Sequence, residues 1–507
     1  MYSRIRSAAL NGIDAEEIIV ETDLARGFPS FSIVGLPDTA IRESKERVRA
    51  ALVNSGYRFP DGRVTVNLSP AGVRKVGTHF DLPIALCILI SSGMVVWRDR
   101  LECAFIGELT LNGSIKRVRG LLPMITGLSE KGVRSFVIPE ENRSEGELTS
   151  GVDVFCAGNL DEAVQFICSG SPLKKAESVS FQMWNGEQID DFSDVAGQEQ
   201  AKRALQIAAA GMHNLLMSGS PGSGKTMLAR RLPGIMPPLS YEESLEVTKI
   251  YSIDGLLNEE RPMISRRPFR APDHTISPTA LIGGGVRVKA GEVSLAHNGV
   301  LFLDELPEFS RNALESLRKP MEDEKVTISR LSGSVTLPSC FLAIAAMNPC
   351  PCGYYGDPSH PCTCSESQIR RYRSRLSGPL LDRMDLYVTV SVPKYEDIYS
   401  HHGGISTADL AEPVLRARKI QDLRYQKEPI RYNSQMRAEQ IRKYCQLNKE
   451  TEELFRSAFK TKKLSVRSYD RILKVARTIA DLEGREQISL SDAAEAVQYK
   501  CSGEMFR

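Results

Sequence analysis

The chain has 507 residues, enough for two or three domains that each bury a core, and its 42 % hydrophobic and 25 % charged residues are ordinary for a globular protein. Lys plus Arg number 65 against 63 Asp plus Glu, so the net charge of +2 supplies no global field toward nucleic acid, and any such site must be a local patch or a pore. The N-terminal "MYSRIRSAALNGIDAEE" lacks an apolar segment and meets acid early, which argues against a secretory signal. The longest apolar stretch, residues 82–96, is too short to span a bilayer and reads as a core helix, so no membrane partner is expected. The expected compartment is the cytoplasm, where a thiol cluster points to metal or catalysis rather than a structural disulfide.

Residues 1–168 read as one α/β unit. "EEIIVETDL", "SFSIVGL" and "RVTVNLSP" look like strands. "DTAIRESKERVRAALVNSGY" reads as a helix capped by Asp38, with Ile41, Val48 and Leu52 on one face. "CAFIGELTLNGSIKRVRG" reads as a hairpin turning at Asn112-Gly113. Residues 169–190 are polar and unpatterned, as in a linker. Between 191 and 400 come four apolar runs, at 214–218, 299–305, 340–348 and 385–393, of the kind found in parallel strands covered on both faces by helices. Residues 401–507 are helical in pattern: "RSYDRILKVARTIADLEG" aligns Ile472, Val475, Ala476, Ile479 and Leu482 and stops at Gly484, and "SLSDAAEAVQYK" starts another helix with Ser491 as its expected cap.

The chemistry sits in the second block. "GSPGSGKT" (Gly219, Ser220, Pro221, Gly222, Ser223, Gly224, Lys225, Thr226) fits the phosphate-binding pattern G-x-x-x-x-G-K-[ST]. It lies between a strand-like and a helix-like run, as that pattern requires. Its backbone N–H groups are expected to close around the phosphates of ATP, Lys225 to reach the β- and γ-phosphates, and Thr226 to hold Mg²⁺. "GVLFLDEL" ends a buried strand in an acid pair: Asp304 for the metal, Glu305 to orient or deprotonate the attacking water. Asn348 ends the third strand, where a polar side chain senses the γ-phosphate. Arg383 precedes the fourth strand and Arg467 opens a helix, both placed as arginines of a ring ATPase would be. Read singly, each Arg or Asn is an ordinary surface residue; order and position give them a role.

Asn348 opens "NPCPCGYYGDPSHPCTCS", which holds Cys350, Cys352, Cys362 and Cys364. Four thiolates suit tetrahedral Zn²⁺, and a Gly/Pro loop without an apolar core gains order from such a metal. Iron–sulfur ligation, redox thiols and plain free cysteines are the alternatives, and His360 could replace one thiol.

"DVAGQEQAKRAL", "GSPGSGKT", "FRAPDHTIS", "GVLFLDELPEF", "NPCPCGYYGDP" and "GPLLDRMDL", with the N-terminal "GFPSFSIVGLPDTAIRESKERVRAAL", make the chain resemble the magnesium-chelatase-like AAA+ ATPases, and within them the ComM/YifB family, over nearly its whole length. The resemblance implies three parts. Residues 1–168 would be an N-terminal α/β domain similar to the proteolytic domain of Lon (the ribosomal S5 domain 2-like fold), and 191–400 an AAA+ P-loop core with a parallel sheet and hairpin insertions. Residues 401–507 would be a helical lid. It implies a homo-hexamer in which Arg383 is the finger reaching a neighbour, Asn348 the first sensor and Arg467 the second. The hairpins at 280–299 and 324–339 would face a central channel, their Arg287, Lys289, Lys325 and Arg330 tracking a DNA backbone without reading sequence.

Two departures stand out. The Lon Ser–Lys dyad would fall near His79 and Leu122, where neither residue type is present. The family's usual pair of adjacent histidines is Asp273-His274 here. The implied function is an ATP-driven DNA motor, a helicase or branch-migration translocase working in recombination or in the integration of DNA during natural transformation. The ATPase subunit of a metal chelatase is the alternative, and an ATP-dependent protease is disfavoured by the missing dyad.

Overall fold

The structure is a computed structural model. It describes residues 2–97, 103–170, 172–179, 190–258, 260, 262–285, 289–330, 333–392, 404–461 and 465–503. Arg287 and half of the expected linker lie outside these residues. The chain divides into two compact units. Met1–Gln182, Tyr241–Ile264 and Thr327–Leu337 make the first; Met183–Ser240, Ser265–Val326 and Pro338–Arg507 make the second. Two stretches from the middle of the chain thus group with the N-terminal unit. No helix among the described residues is long and apolar enough to cross a membrane.

The first unit is built on an eight-stranded mixed sheet, in the order Lys174–Lys175, Asp153–Ala157, Ser135–Pro139, Cys103–Phe105, Tyr2–Asn11, Asp14–Ala25, Arg63–Ser69 and Ser30–Val34. Alternation explains Arg63–Ser69, which buries Val64, Val66 and Leu68. Helix Thr39–Asn54 forms as expected: the Asp38 carboxylate accepts from Ile41 N, and Ile41, Val48 and Leu52 are buried. Helix Asp81–Ser91 is buried nearly all round, which is why its sequence reads as one apolar run. The segment read as a single hairpin from Cys103 is two things. Only Glu108–Leu109 and Ile115–Lys116 pair as a hairpin, across Asn112-Gly113. Cys103–Phe105, buried at all three positions, pairs in parallel with strands on both sides, because a continuous apolar triplet belongs at a sheet centre.

The second unit is an all-parallel five-stranded sheet, in the order Phe269–Arg270, Val300–Leu303, Leu342–Met347, Leu215–Ser218, Leu386–Thr389. The four expected apolar runs are its last four strands. The edge pair Phe269–Arg270 is too short to carry a period and was not expected. Helices Glu199–Gly211, Lys225–Ile235, Thr407–Arg424, Val466–Leu482 and Leu490–Cys501 share its core, to which Ile472, Val475, Ala476, Ile479 and Leu482 all contribute. Ser489, not Ser491, caps the last helix. Its hydroxyl accepts from Asp492 N while the Asp492 carboxylate accepts from Ser489 N, a reciprocal box that needs an acid three residues on.

Asp385 joins this core to the helices. Its carboxylate accepts from Asn214 N (3.2 Å) and from the Arg471 guanidinium (2.5 Å), and the residue is only 7 % exposed. Burial alone would push its carboxyl up; Arg471 overrides burial and holds it well below the usual carboxylate range. A depressed folded pKa adds stability above the ordinary carboxylate value that acid removes. Asp385→Asn is therefore expected to cost about 2 kcal/mol at pH 7, read from urea unfolding, because it strands a half-buried arginine and the Asn214 N–H. The gap to wild type should close as pH falls below about 4.

Candidate active site

Strand Leu215–Ser218 runs into the loop 219–224 and then helix Lys225–Ile235, so the glycine-rich motif lies between strand and helix as its chemistry requires. Two glycines are forced. A Cβ on Gly219 would meet the Val390 carbonyl oxygen at 2.1 Å, and Gly224 turns the chain into the helix at φ +91°. The helix therefore opens with free N–H groups directed at the loop's concavity, an anion site by construction.

Lys225 is 9 % exposed, and its ammonium fills that concavity. It donates to Gly219 O (2.7 Å), Ser220 O (3.0 Å), Ser223 Oγ (3.4 Å) and Asn348 Oδ1 (3.3 Å). Burial lowers its pKa, while Asp304 and Glu305 pull the other way. Thr226 Oγ1 donates to Asp304 Oδ2 at 2.7 Å, so the hydroxyl and carboxylate expected to share a cation already face each other. A hydroxyl beside a carboxylate at the mouth of a phosphate loop is the oxygen donor set that Mg²⁺ takes, and these residues fit that ion.

Glu305 follows in the left-handed region at φ +50°, a strained position for a non-glycine residue. Its N–H donates to Asp304 Oδ1 (3.0 Å), which leaves its own carboxylate exposed. Asp304 thus faces inward to the threonine while Glu305 points to solvent, where water is found. His274 Nδ1 lies 3.9 Å from Glu305 Oε2, a neighbour the sequence did not announce. Of the expected pair of histidines, the retained one reaches the acid, and Asp273 instead caps its own turn by accepting from Thr275 N (2.8 Å).

The arginines are placed differently. Arg383, 9 % exposed, donates to Arg318 O (2.9 Å) and Pro379 O (2.8 Å) and pairs with the Glu322 carboxylate. Arg467 is exposed in the first turn of Val466–Leu482, and it is Arg471, one turn on, that ties that helix to Asp385. Lys289 and Lys325 are both exposed on two-stranded hairpins. Arg330 ends a strand of the second hairpin, and its side chain is outside the described residues. Where a Lon dyad would fall, His79 is a buried imidazole on Ala8 O (2.8 Å), pushed down by burial to about 4, and Leu122 is fully buried.

Cys350, Cys352, Cys362 and Cys364 come together with all four sulfurs within 4.8 Å of one another. The Cys350–Cys352, Cys350–Cys362 and Cys352–Cys362 separations are 3.3, 3.6 and 3.5 Å. Tetrahedral zinc with ~2.3 Å bonds places its sulfurs about 3.8 Å apart. Backbone N–H groups of Tyr354 and Thr363 bring the Cys352 thiol down to about 5, while at Cys362 the Cys364 N–H is outweighed by desolvation, with Cys352 and Cys350 beside it, and the thiol is pushed up to about 12. The donor set fits zinc. His360 stacks on Tyr354 at 4.9 Å between ring centres and is not one of the four.

Comparison with known proteins agrees with this geometry. Residues 191–398 match the family model described as magnesium chelatase, subunit ChlI; 20–142 match the model of subunit ChlI of Mg-chelatase, and 404–500 its C-terminal model. The chain is 42 % identical over 501 residues to competence protein ComM of Haemophilus influenzae, covering 98 % of this chain and 97 % of that protein. It is 41 % identical over 498 residues to the protein YifB of Salmonella typhimurium, covering 98 % and 96 %. Lon protease 2 of Bacillus subtilis is 28 % identical over 162 residues, 30 % of this chain and 29 % of its own.

Because Glu305 touches neither the phosphate loop nor Asp304 through its carboxylate, its amide should change turnover and little else. Glu305→Gln is expected to lower ATP hydrolysis about 10²–10⁴-fold, measured by phosphate release, with nucleotide affinity kept within about threefold.

Proposed function

From the premise that the chain belongs to the ComM/YifB family of magnesium-chelatase-like AAA+ ATPases, we propose that it is an ATP-hydrolysing, ring-forming DNA motor that works in recombination or in the integration of DNA during natural transformation. The observation that carries the ATPase part is the cluster at the sheet edge: Lys225 in the loop, Asn348 on Lys225, Thr226 on Asp304, and Glu305 turned to solvent.

In this reading Lys225 exchanges its carbonyl partners for the β- and γ-phosphates of ATP. Thr226 and Asp304 would hold Mg²⁺, which neutralises phosphate charge when bound. Glu305 orients the attacking water and accepts its proton, and Asn348 registers the γ-phosphate. Residues 191–400 form the motor and 401–507 its lid, with Arg467 available as second sensor. Arg383 acts in trans in a homo-hexamer, leaving Glu322 for a neighbour's nucleotide. Lys289 and Lys325, together with Arg287 and Arg330, follow the backbone of branched or single-stranded DNA. The four cysteines bind structural zinc, the compartment is the cytoplasm, and the N-terminal unit serves as a collar rather than a protease.

The decisive experiment is ATP-dependent movement of a synthetic four-way DNA junction. Wild type should migrate the branch and Glu305→Gln should not. If wild type shows neither migration nor DNA-stimulated ATP turnover, the motor reading fails, and stimulation only by a porphyrin-binding partner would point instead to a chelatase-type ATPase, which the ChlI family description favours.

The trans role of Arg383 is tested by mixing. Arg383→Ala and Lys225→Ala are each expected to lose about 10³-fold in turnover alone. Mixed, they should regain a measurable fraction, since a Lys225→Ala subunit can lend Arg383 to an intact pocket next door. A mixture no more active than its components would remove the finger assignment.

A further inference from the structure

The cysteine loop does more than leave the sheet beside the nucleotide site. Two of its residues touch two consecutive residues of the phosphate loop. Ser220 Oγ donates to Asp357 Oδ2 at 2.5 Å. Gly353, at φ +89°, lies so close to Pro221 that a Cβ there would meet Pro221 Cδ at 2.6 Å. Asp357 is itself fixed, its other oxygen accepting from Ser359 N (2.8 Å) and His360 N (3.3 Å).

The loop's shape in turn depends on the thiols. Between 348 and 365 only Cys350 and Gly353 are buried, so no apolar core holds it. Gly353 N donates to Cys350 O (3.0 Å) and Cys352 N to Cys364 Sγ (3.4 Å), which closes the loop on the sulfur cluster. Its far end passes into helix Glu366–Arg373 through the Ser365 capping box, and Arg373 returns to Pro349 O (3.3 Å). Such a loop, ordered at one point by four mutually repelling ligands, is ordered by the cation that joins them.

We propose that the four-cysteine metal centre shapes the phosphate loop: with metal bound, Asp357 and Gly353 hold Ser220 and Pro221 in the nucleotide-ready arch, so metal occupancy sets nucleotide affinity. Asp357 and Gly353 are positioning residues, since neither is directed at the phosphates. The proposal rests on the ATPase reading above and adds a second control point to it.

The test uses the full chain, zinc analysis and titration with a fluorescent ADP derivative. Asp357→Ala should keep its zinc, weaken ADP binding about tenfold through loss of one charge-assisted hydrogen bond, and leave kcat at saturating ATP within about twofold. Asp357→Asn, which still offers Ser220 an acceptor, should recover most of the affinity, a rescue that a merely damaged fold would not show. Cys362→Ser/Cys364→Ser should hold less than about half an equivalent of zinc and bind ADP at least tenfold more weakly. If that variant fails to fold, the Asp357 pair decides alone. Wild-type or tighter ADP binding by Asp357→Ala, or full affinity in metal-free protein, overturns the proposal. Lys225→Ala separates the two readings. If wild type binds ADP no better than Lys225→Ala, the ATPase reading falls and takes this proposal with it. If wild type binds, Lys225→Ala does not, and Asp357→Ala matches wild type, only this proposal falls.

Discussion

The nucleotide site depends on the register in which three parallel strands are hydrogen-bonded. Ser218 lies opposite Met347, and Leu303 opposite Ala345. Gly219 and Asn348 therefore leave the sheet level with each other, and Asp304, two residues short of them, leaves on the same side. A slip of one residue would turn every side chain of a strand to the other face and separate the acid from the loop. Parallel pairing also gathers all the carboxyl ends at one edge, where open α/β sheets bind ligands. The buried runs LLMS, VLFL and LAIAAM, which look like nothing more than core, are what hold that register.

The edge is locally uncomfortable, and the discomfort is placed where an anion would relieve it. Lys225 is desolvated and hydrogen-bonded to carbonyl, hydroxyl and amide oxygens rather than to a carboxylate, Glu305 sits in a left-handed conformation, and Thr226 spends its hydroxyl on Asp304. Each of these groups has a partner that a phosphate or a cation can replace. The rest of the unit compensates: the strands are fully buried and Asp385 is locked between Asn214 and Arg471.

Much of this was legible in the sequence because it is local. A glycine loop before a helix, an acid pair ending an apolar run and Asn348 ending the next each carry their context within ten residues. The pattern also located the helices with clear stripes, such as Val466–Leu482. What it could not convey depends on partners far apart in the chain. Nothing around Glu322 marks it as the holder of Arg383, and "GYYGDP" reads as a turn, with no sign that its Asp reaches Ser220. The two-residue edge strand Phe269–Arg270 has no period to detect, and it is what carries His274 toward Glu305. The last helix is capped at Ser489 rather than Ser491 because the reciprocal box needs an acid three residues on: Ser489 has Asp492 there, and Ser491 has Ala494. The expected single hairpin at Cys103 failed because turn chemistry at Asn112-Gly113 is a local signal, while the parallel pairing of Cys103–Phe105 is set by strands far along the chain.

Arg383 has given up most of its water without leaving its own chain: two carbonyls and the Glu322 carboxylate already occupy its donors. For a cation in this state, moving to another anion is an exchange between two bound partners rather than the stripping of a hydration shell. The energy of such a transfer follows the difference between a carboxylate and its rival, and a phosphate bearing more charge wins where a spent one does not. If Arg383 is the finger proposed above, cohesion between neighbouring copies would track the chemical state of the nucleotide between them, with much of the desolvation met within the fold.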